Sequence, residues 1–428
     1  MSSKIAKDIF EHALKAVLPQ NFMKKECTLK GNILSIATVE YDLSSYKNIY
    51  VFGSGKAALG MAKETEEILD SRIYKGLVVA PNMSEELEII EVHQGSHPLP
   101  SKKSLSATQA LIQMMQECDK DDLYIYLLSG GSSALIEMPS EPITIEEFQK
   151  ATDLMLSNAL EIQEINTVRK HISQIKGGRL AQMCKATGVV LVISDVIGDD
   201  LFSIGSAPLY ADNSTFHEAK EILQRKNIYS KFPKSIQDVL DAGIKGEIQE
   251  SPFESLKRVS HYIIASNTHA KNAAAEYAKS LGLSVKLIEE SFSGEVSHVV
   301  GSVLEMLQDT QEQCLILGGE CTVNVRGNGQ GGRNQHATLL ALREMKKKNL
   351  NITFLSCSTD GIDGNSNTAG AVVDFRMLEK VDLKKLEKYL KNYDSYHYLK
   401  QLGALVITGP TQTNVIDLII IIKGDIHV

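Results

Sequence analysis

The chain has 428 residues, 43% of them hydrophobic, enough for two domains that each close a core of their own. A formal charge of −8, with no Lys/Arg stripe carrying interleaved aromatics, argues against a nucleic-acid partner. The six cysteines (27, 118, 184, 314, 321 and 357) form no Cys-x-x-Cys pair, and the most apolar run, 418–422, is far too short to span a bilayer; the expectation is a soluble cytoplasmic chain with reduced thiols and no membrane contact.

The first expected element is an amphipathic helix. Ile5, Ile9, Phe10, Ala13, Leu14, Val17 and Leu18 recur at helical spacing with Lys4, Lys7, Asp8 and Glu11 between them, unlike a signal peptide. A strand over 49–52 then meets Gly-Ser-Gly-Lys, and a helix runs from Ala57 to about Leu69. Strand 76–80, helix 103–117 and strand 123–128 follow, then a helical region over 145–184, strand 189–194 and helix 215–226. Repeated β-α-β units imply a parallel sheet with helices on both faces. The polar, irregular text at 243–257 is the expected junction, giving domains 1–245 and 255–428. The second half again alternates the two element types, with strand 261–265, helix 268–281, strand 284–288, helix 295–307 and strand 314–317. A Gly-rich hairpin over 322–332, helix 334–347, strand 352–357, one or two helices within 377–401 and a last strand at 418–422 complete it.

The loops after these strands carry the chemistry. Gly53, Ser54 and Gly55 precede Lys56 between a strand and a helix, which suggests a dinucleotide fingerprint. Against that reading, the second strand ends at Ala80-Pro81, where a ribose-binding acid is wanted, and Lys56 points a cation into the turn, as suits a phosphate or carboxylate. Nor does the spacing match a Walker A loop. Ser129, Gly130, Gly131, Ser132 and Ser133 form a second anion nest. Arg169, Ser173 and Lys176 fall at i, i+4 and i+7, on one face of a helix, and His171 reads as a satisfied or surface histidine. Asp195, Asp199 and Asp200 follow a buried strand, placed to accept a proton or hold Mg²⁺. Glu320 and the pair Asp360 and Asp363 have the same character, and Arg333, with Asn334 and Gln335, opens a helix behind glycines, as suits charge stabilisation in phosphoryl transfer.

Together these segments resemble bacterial glycerate 2-kinase of the MOFRL type, an N-terminal DUF4147 region followed by a MOFRL region at about 312–422. The resemblance rests on Gly-Ser-Gly-Lys-Ala-Ala (53–58), His97-Pro98-x-Pro100, Ser-Gly-Gly-Ser-Ser-Ala-Leu (129–135), Asn166-x-Val-Arg-x-His…Lys176-Gly-Gly and Ser194-Asp195-Val…Gly198-Asp199. It continues through Gly318-Gly319-Glu320…Gly332-Arg333-Asn-Gln, Asp360-Gly-x-Asp363-Gly…Ala369-Gly-Ala and Thr408-Gly-Pro-Thr…Asn414, in family order from about residue 5 to 422. It implies an α/β fold of two domains, a Rossmann-like parallel sheet and a C-terminal α/β MOFRL domain, with the active site in the cleft between them. It also implies ATP-dependent, Mg²⁺-assisted phosphorylation of D-glycerate at the 2-hydroxyl, by a monomer or homodimer. Lys56, Asp195 and Arg333 are then the expected catalytic residues. The residues at 53–55, 129–133, Arg169, Lys176, Glu320 and Asn334 bind substrate or phosphate, and Asp199 and Asp360 hold the metal. The chain departs from the family's usual text at Ala207, Leu209, His336, Ile362, Asn365, Asn367, Gln412 and Ile416, which leaves the acceptor acid open. An NAD(P)H-linked hydroxypyruvate reductase, a kinase of another small sugar acid and a non-catalytic ligand-binding relative are the alternatives.

Overall fold

A computed structural model describes residues 2–83 and 86–424. They form two compact units, one of Met23–Ser194 with Asp199–Ile264, the other of the residues up to Phe22, Asp195–Gly198 and the chain from Ala265 onward.

In the first unit the core is a six-stranded sheet in the spatial order Ile90–Gln94, Ile73–Ala80, Ile49–Ser54, Leu123–Leu128, Thr187–Ile193, Val259–Ala265. The first five of these are parallel, as the β-α-β pattern requires. Ranked by chain position within the sheet the order is 3-2-1-4-5-6, that of a doubly wound α/β fold, whose ligands sit where the order reverses. Every residue of Ile49–Ser54 and of Leu123–Leu128 is buried, so these strands read as apolar runs without alternation. Helices Ile145–Ser157, Ile162–His171, Phe216–Arg225 and Lys234–Ile244 close a second cluster around Phe148, Phe216 and Leu240. The expected helical region 145–184 is therefore broken. Helix Ile162–His171 stops at Ile172, and Gly177 and Gly178 both take positive φ. A three-stranded antiparallel sheet, Cys27–Lys30, Ile33–Ile36 and Val39–Asp42, is not apparent from the sequence, because four-residue strands give too little periodicity.

The second unit holds a seven-stranded mixed sheet. Its spatial order is Val285–Leu287, Cys314–Thr322, Asp417–Lys423, Ile352–Ser358, Gly370–Asp374, Leu405–Val406, with Phe292–Glu295 also pairing Cys314–Thr322. The last strand in sequence is inserted at the centre, antiparallel to both neighbours, and Leu418–Ile422 are wholly buried. Residues 323–332 form an irregular loop rather than the expected hairpin, since Cys314–Thr322 pairs with Phe292–Glu295 and Asp417–Lys423 instead of folding back on itself.

The opening helix, Ser2–Ala16, belongs to this second unit rather than to the domain that follows it in sequence. Its apolar face, with Ile9, Phe10 and Ala13 fully buried, packs on helix Asn267–Ser280 and strand Ile352–Ser358. His12 stacks on Tyr277 at 3.4 Å between ring centroids, and Val17 accepts a hydrogen bond from Thr413 Oγ1 at 2.7 Å. Amphipathicity announces that a helix has a partner without saying which. Phe10→Ala should cost the second unit about 3–5 kcal/mol of stability in a urea titration, the range for truncating a buried aromatic. Hydrogen exchange should accelerate in Ile352–Ser358 and leave Leu123–Leu128 protected; equal acceleration of both strands would contradict this assignment.

Candidate active site

In the parallel-sheet unit the reversal point lies between Ile49–Ser54 and Leu123–Leu128, and the two glycine loops leave the sheet there side by side. Lys56 N donates to Gly130 O at 2.8 Å, and Ala57 N donates to Ser129 Oγ at 3.0 Å, tying one loop to the other. Ser54 Oγ shares hydrogen bonds with Tyr126 Oη (2.7 Å) and Ser132 Oγ (2.6 Å). Ser54, Ser129 and Ser132 are thus buried and spend their hydroxyls on holding the loop, not on facing solvent. The N–H groups of Gly130, Gly131 and Ser133 make no backbone hydrogen bond among the described residues, and Gly131 sits at φ +82°. Consecutive N–H groups around a left-handed residue form an anion nest. A Cβ built on Gly131 would lie 3.1 Å from Lys56 Cγ and 3.2 Å from His97 Cδ2, so a lysine stem and an imidazole flank the nest. His97 stands out in the sequence only as part of a motif; nothing in its local pattern marks it as a neighbour of Lys56.

Arg169, Ser173 and Lys176 do not share a helical face, because the helix has ended by Ile172. Lys176 turns inward beneath the second loop. It pairs with the buried Glu137 at 3.0 Å and donates to Ser133 O at 3.0 Å. Burial lowers its pKa and Glu137 offsets part of that. Ser173 Oγ also donates to Glu137 Oε1, at 2.6 Å, so Glu137 organises a buried floor under the nest. Burial likewise lowers the pKa of Arg169, which feels the Glu137 charge. His171 is satisfied by Thr167 O at 2.8 Å and Glu250 at 3.2 Å.

Of the three aspartates after Thr187–Ile193, Asp200 is a local cap, accepting from Phe202 N at 3.0 Å and Ser203 Oγ at 2.6 Å. Asp199 is half-buried at φ +56° and clusters with the parallel-sheet unit, whereas Asp195, also half-buried, clusters with the mixed-sheet unit.

The mixed-sheet unit has a cavity of about 580 Å³ lined by Glu320, Arg333, His336, Asp360, Tyr393 and Ser395 among others. Arg333 opens helix Arg333–Lys348, and its guanidinium is held by two carboxylates. Nε and Nη2 donate to Asp417, at 2.5 and 3.1 Å, and Nη1 donates to Glu320. Burial alone would lower the arginine's pKa; Asp417 and Glu320 more than reverse this. Asp417 lies fully buried at the start of the central strand, where burial pushes its carboxyl up to about 6 despite Arg333. The helix N-terminus is not open to an anion either. Asp363 accepts from Asn334 N at 3.0 Å and Gln335 N at 2.8 Å, the partners a helix start leaves unsatisfied. Gly332 permits that approach, since a Cβ there would fall 2.3 Å from the Asp363 carboxylate. The Asn334 side chain is turned into the core, accepting from Ser356 Oγ at 2.6 Å. It positions the helix and does not face the cavity.

His336, Ile362 and Asn365, three of the departures from the family text, all line this cavity. Asn365 Oδ1 accepts from Gly331 N at 2.8 Å, and His336 stacks on Tyr393 with centroids 5.2 Å apart. Asp360 Oδ1 accepts from Ser358 Oγ at 2.8 Å and Ile362 N at 3.0 Å. Among the described residues no group of three or more His, Cys, Asp or Glu side chains could hold a metal ion. Asp199 and Asp360 offer the hard oxygen donors magnesium takes one or two at a time, with phosphate completing the set.

Two sequence families match the chain: the Domain of unknown function DUF4147 over residues 5–241, and the MOFRL family over 313–417. The glycerate 2-kinase of Pyrococcus horikoshii is 36% identical, covering 96% of this chain and 94% of its own. The D-glycerate 2-kinase of Thermotoga maritima is 34% identical, covering 97% of both. A crystal structure of a Thermotoga maritima glycerate kinase superimposes with a TM-score of 0.85 at 33% identity, over 98% of this chain and 99% of that one.

The buried His336 has a measurable signature. Burial lowers its pKa from 6.5 to about 4, so between those values the unfolded chain binds the extra proton and stability falls as pH falls. His336→Phe should remove that component, and the stability difference between variant and parent should grow from pH 7 to pH 4 by on the order of 2–3 kcal/mol. A difference independent of pH would mean His336 titrates normally.

Proposed function

We propose that this chain, which belongs to the MOFRL-type glycerate 2-kinase family, transfers the γ-phosphoryl group of ATP to the 2-hydroxyl of D-glycerate, giving 2-phosphoglycerate and ADP. The observation that carries the reading is the set of N–H groups at Gly130, Gly131 and Ser133 that make no backbone hydrogen bond among the described residues, at the reversal point of the parallel sheet, with Lys56 and His97 beside Gly131. Phosphoryl transfer asks for little covalent chemistry from a protein and depends on positioning and on charges around the transferred group. The N–H groups of Gly130, Gly131 and Ser133 hold anionic oxygens, and Lys56 neutralises them. Glu137 and Lys176 keep the nest rigid from below. Asp195 takes the proton from the attacking hydroxyl. Arg333 keeps N–H groups beyond the three bonds that fix it, and these are available to a phosphoryl oxygen. Asp199 and Asp360 would hold magnesium, whose contribution when bound is to neutralise phosphate charge.

Strand Ile73–Ala80 ends on Ala80-Pro81, without the acid that holds the ribose of a nicotinamide dinucleotide, which supports ATP over NAD(P)H. The test is ADP release from ATP with D-glycerate, with phosphorus NMR to separate 2-phosphoglycerate from its 3-isomer and hydroxypyruvate plus NADH as the contrasting assay. Absence of turnover with D-glycerate and with every other small hydroxy acid would overturn the kinase reading.

Lys56→Ala should lower kcat/KM by about 10²-fold or more, the scale of losing a preorganised electrostatic contact. Near-normal turnover would remove Lys56 from the site. Arg333→Lys should also be impaired, because an ammonium cannot reproduce the planar fork that holds Asp417 and Glu320 together.

A further inference from the structure

We propose that Arg169 is the residue that receives the carboxylate of the acceptor acid. The proposal rests on the kinase reading above, to which it adds the place of the acceptor's charged end.

Between Asn166 and Arg179 the chain carries Arg169, Lys170, Lys176 and Arg179. The last three are committed. Lys170 pairs with the buried Asp212 at 3.0 Å, and Lys176 with the buried Glu137 at 3.0 Å. Arg179 donates to Lys170 O at 2.7 Å and to Ser251 Oγ at 2.8 Å. Arg169 makes no side-chain hydrogen bond or ion pair among the described residues. Its Nε is closed to solvent without a partner, whereas Nη1 and Nη2 are not closed off, so the fork stands at the open end of a buried stem. The acid whose charge reaches it, Glu137, is already engaged at both oxygens. Oε1 accepts from Ser173 Oγ at 2.6 Å and Met138 N at 2.9 Å, and Oε2 lies against Lys176. A guanidinium drawn out of water with nothing to donate to is costly, and its planar fork matches a carboxylate through two parallel bonds.

The arginine is also bolted to the second glycine loop, within the same unit. Asn166, one turn before it on helix Ile162–His171, accepts from Ser206 Oγ at 3.0 Å, so that face of the helix meets the turn at 204–206. The turn in turn rests on the loop, since a Cβ on Gly205 would fall 3.1 Å from Ser132 Cβ. Lys176, whose charge interacts with Arg169 and Glu137, donates to Ser133 O at 3.0 Å. In the proposed reaction the phosphoryl oxygens already have the N–H groups of Gly130, Gly131 and Ser133 together with Lys56. The acceptor carboxylate is the anion that this unit has not yet matched with a cation. Its 2-hydroxyl is one carbon away, so holding the carboxylate fixes where the nucleophile stands relative to the loop.

The test measures equilibrium binding of D-glycerate and of inorganic pyrophosphate to the whole chain by calorimetry, for the parent, Arg169→Gln and Arg169→Lys, with ATP-dependent turnover alongside. Arg169→Gln should bind D-glycerate about 10- to 100-fold more weakly, the scale of hydrogen bonds to a charged group, and bind pyrophosphate as the parent does. Arg169→Lys should recover part of that loss, because it keeps the charge without the fork. In turnover KM for D-glycerate should rise by the same factor, with KM for ATP unchanged. The ligand-free Tm of Arg169→Gln should not fall, because no bond within the chain is lost; a merely structural arginine would lower Tm and leave D-glycerate affinity alone. D-glycerate affinity in Arg169→Gln within about twofold of the parent, with ADP-forming turnover intact, overturns the assignment and spares the kinase reading. Equal losses for pyrophosphate and D-glycerate put phosphate on Arg169 and overturn it too. A parent that neither binds nor turns over D-glycerate or any other small hydroxy acid removes the kinase reading, and this proposal with it.

Discussion

Asp417 is a carboxylate at the start of a strand whose next residues, Leu418 to Ile422, are wholly buried aliphatics at the centre of a sheet. A charge there is tolerable only if it is paired and hydrogen-bonded. Arg333 meets that requirement with a two-point contact, and the demand propagates outward. The arginine must lie at the first turn of its helix, so the chain before it must pass close by, which Gly332 allows. The helix N-terminus then needs a cap, and Asp363 supplies it from the loop after Ile352–Ser358. Glu320, at the far end of Cys314–Thr322, closes the other side of the guanidinium. One buried acid thus fixes three loops and gives the cavity its acidic surplus.

The parallel-sheet unit solves a related problem with the opposite sign. Its floor is again a buried ion pair, Lys176 with Glu137, but the groups gathered beside it are N–H dipoles and the Lys56 stem. The loop there brings N–H dipoles and a lysine stem together, whereas the cavity of the other unit is lined by Glu320, Asp360 and Asp363 with Arg333.

Much of this was legible in the sequence because buried strands are apolar runs and the loops that end them are punctuated by glycine. Ile49–Ser54 and Leu123–Leu128 announce themselves in that way, and the resemblance named the family. The sequence did not reveal where inserted pieces go. The helix Ser2–Ala16 shows an apolar face with no indication that its partner lies more than two hundred residues away, and Asp417–Lys423 is apolar without stating that it enters mid-sheet, antiparallel. Side-chain direction was equally hidden. The spacing of Arg169, Ser173 and Lys176 fits a helix, and only the two left-handed glycines after it reveal the turn that sends Lys176 inward. Asp417, Glu137, Tyr393 and Ser395 occupy unremarkable local text and acquire meaning from partners distant in sequence. Asp360 and Asp363 look alike in the sequence, yet Asp363 caps a helix while Asp360 accepts from its own loop, at Ser358 and Ile362.

The dependence of the mixed-sheet unit on the Asp417–Arg333 pair can be measured as a coupling energy. Arg333→Met, Asp417→Leu and the double variant would be compared with the parent in urea at neutral pH. If the pair is the constraint described here, each single change strands a buried charge and costs about 3–5 kcal/mol, while the double variant loses much less than the sum. Costs that add to within about 0.5 kcal/mol would contradict it, because independent sites add and a buried ion pair does not.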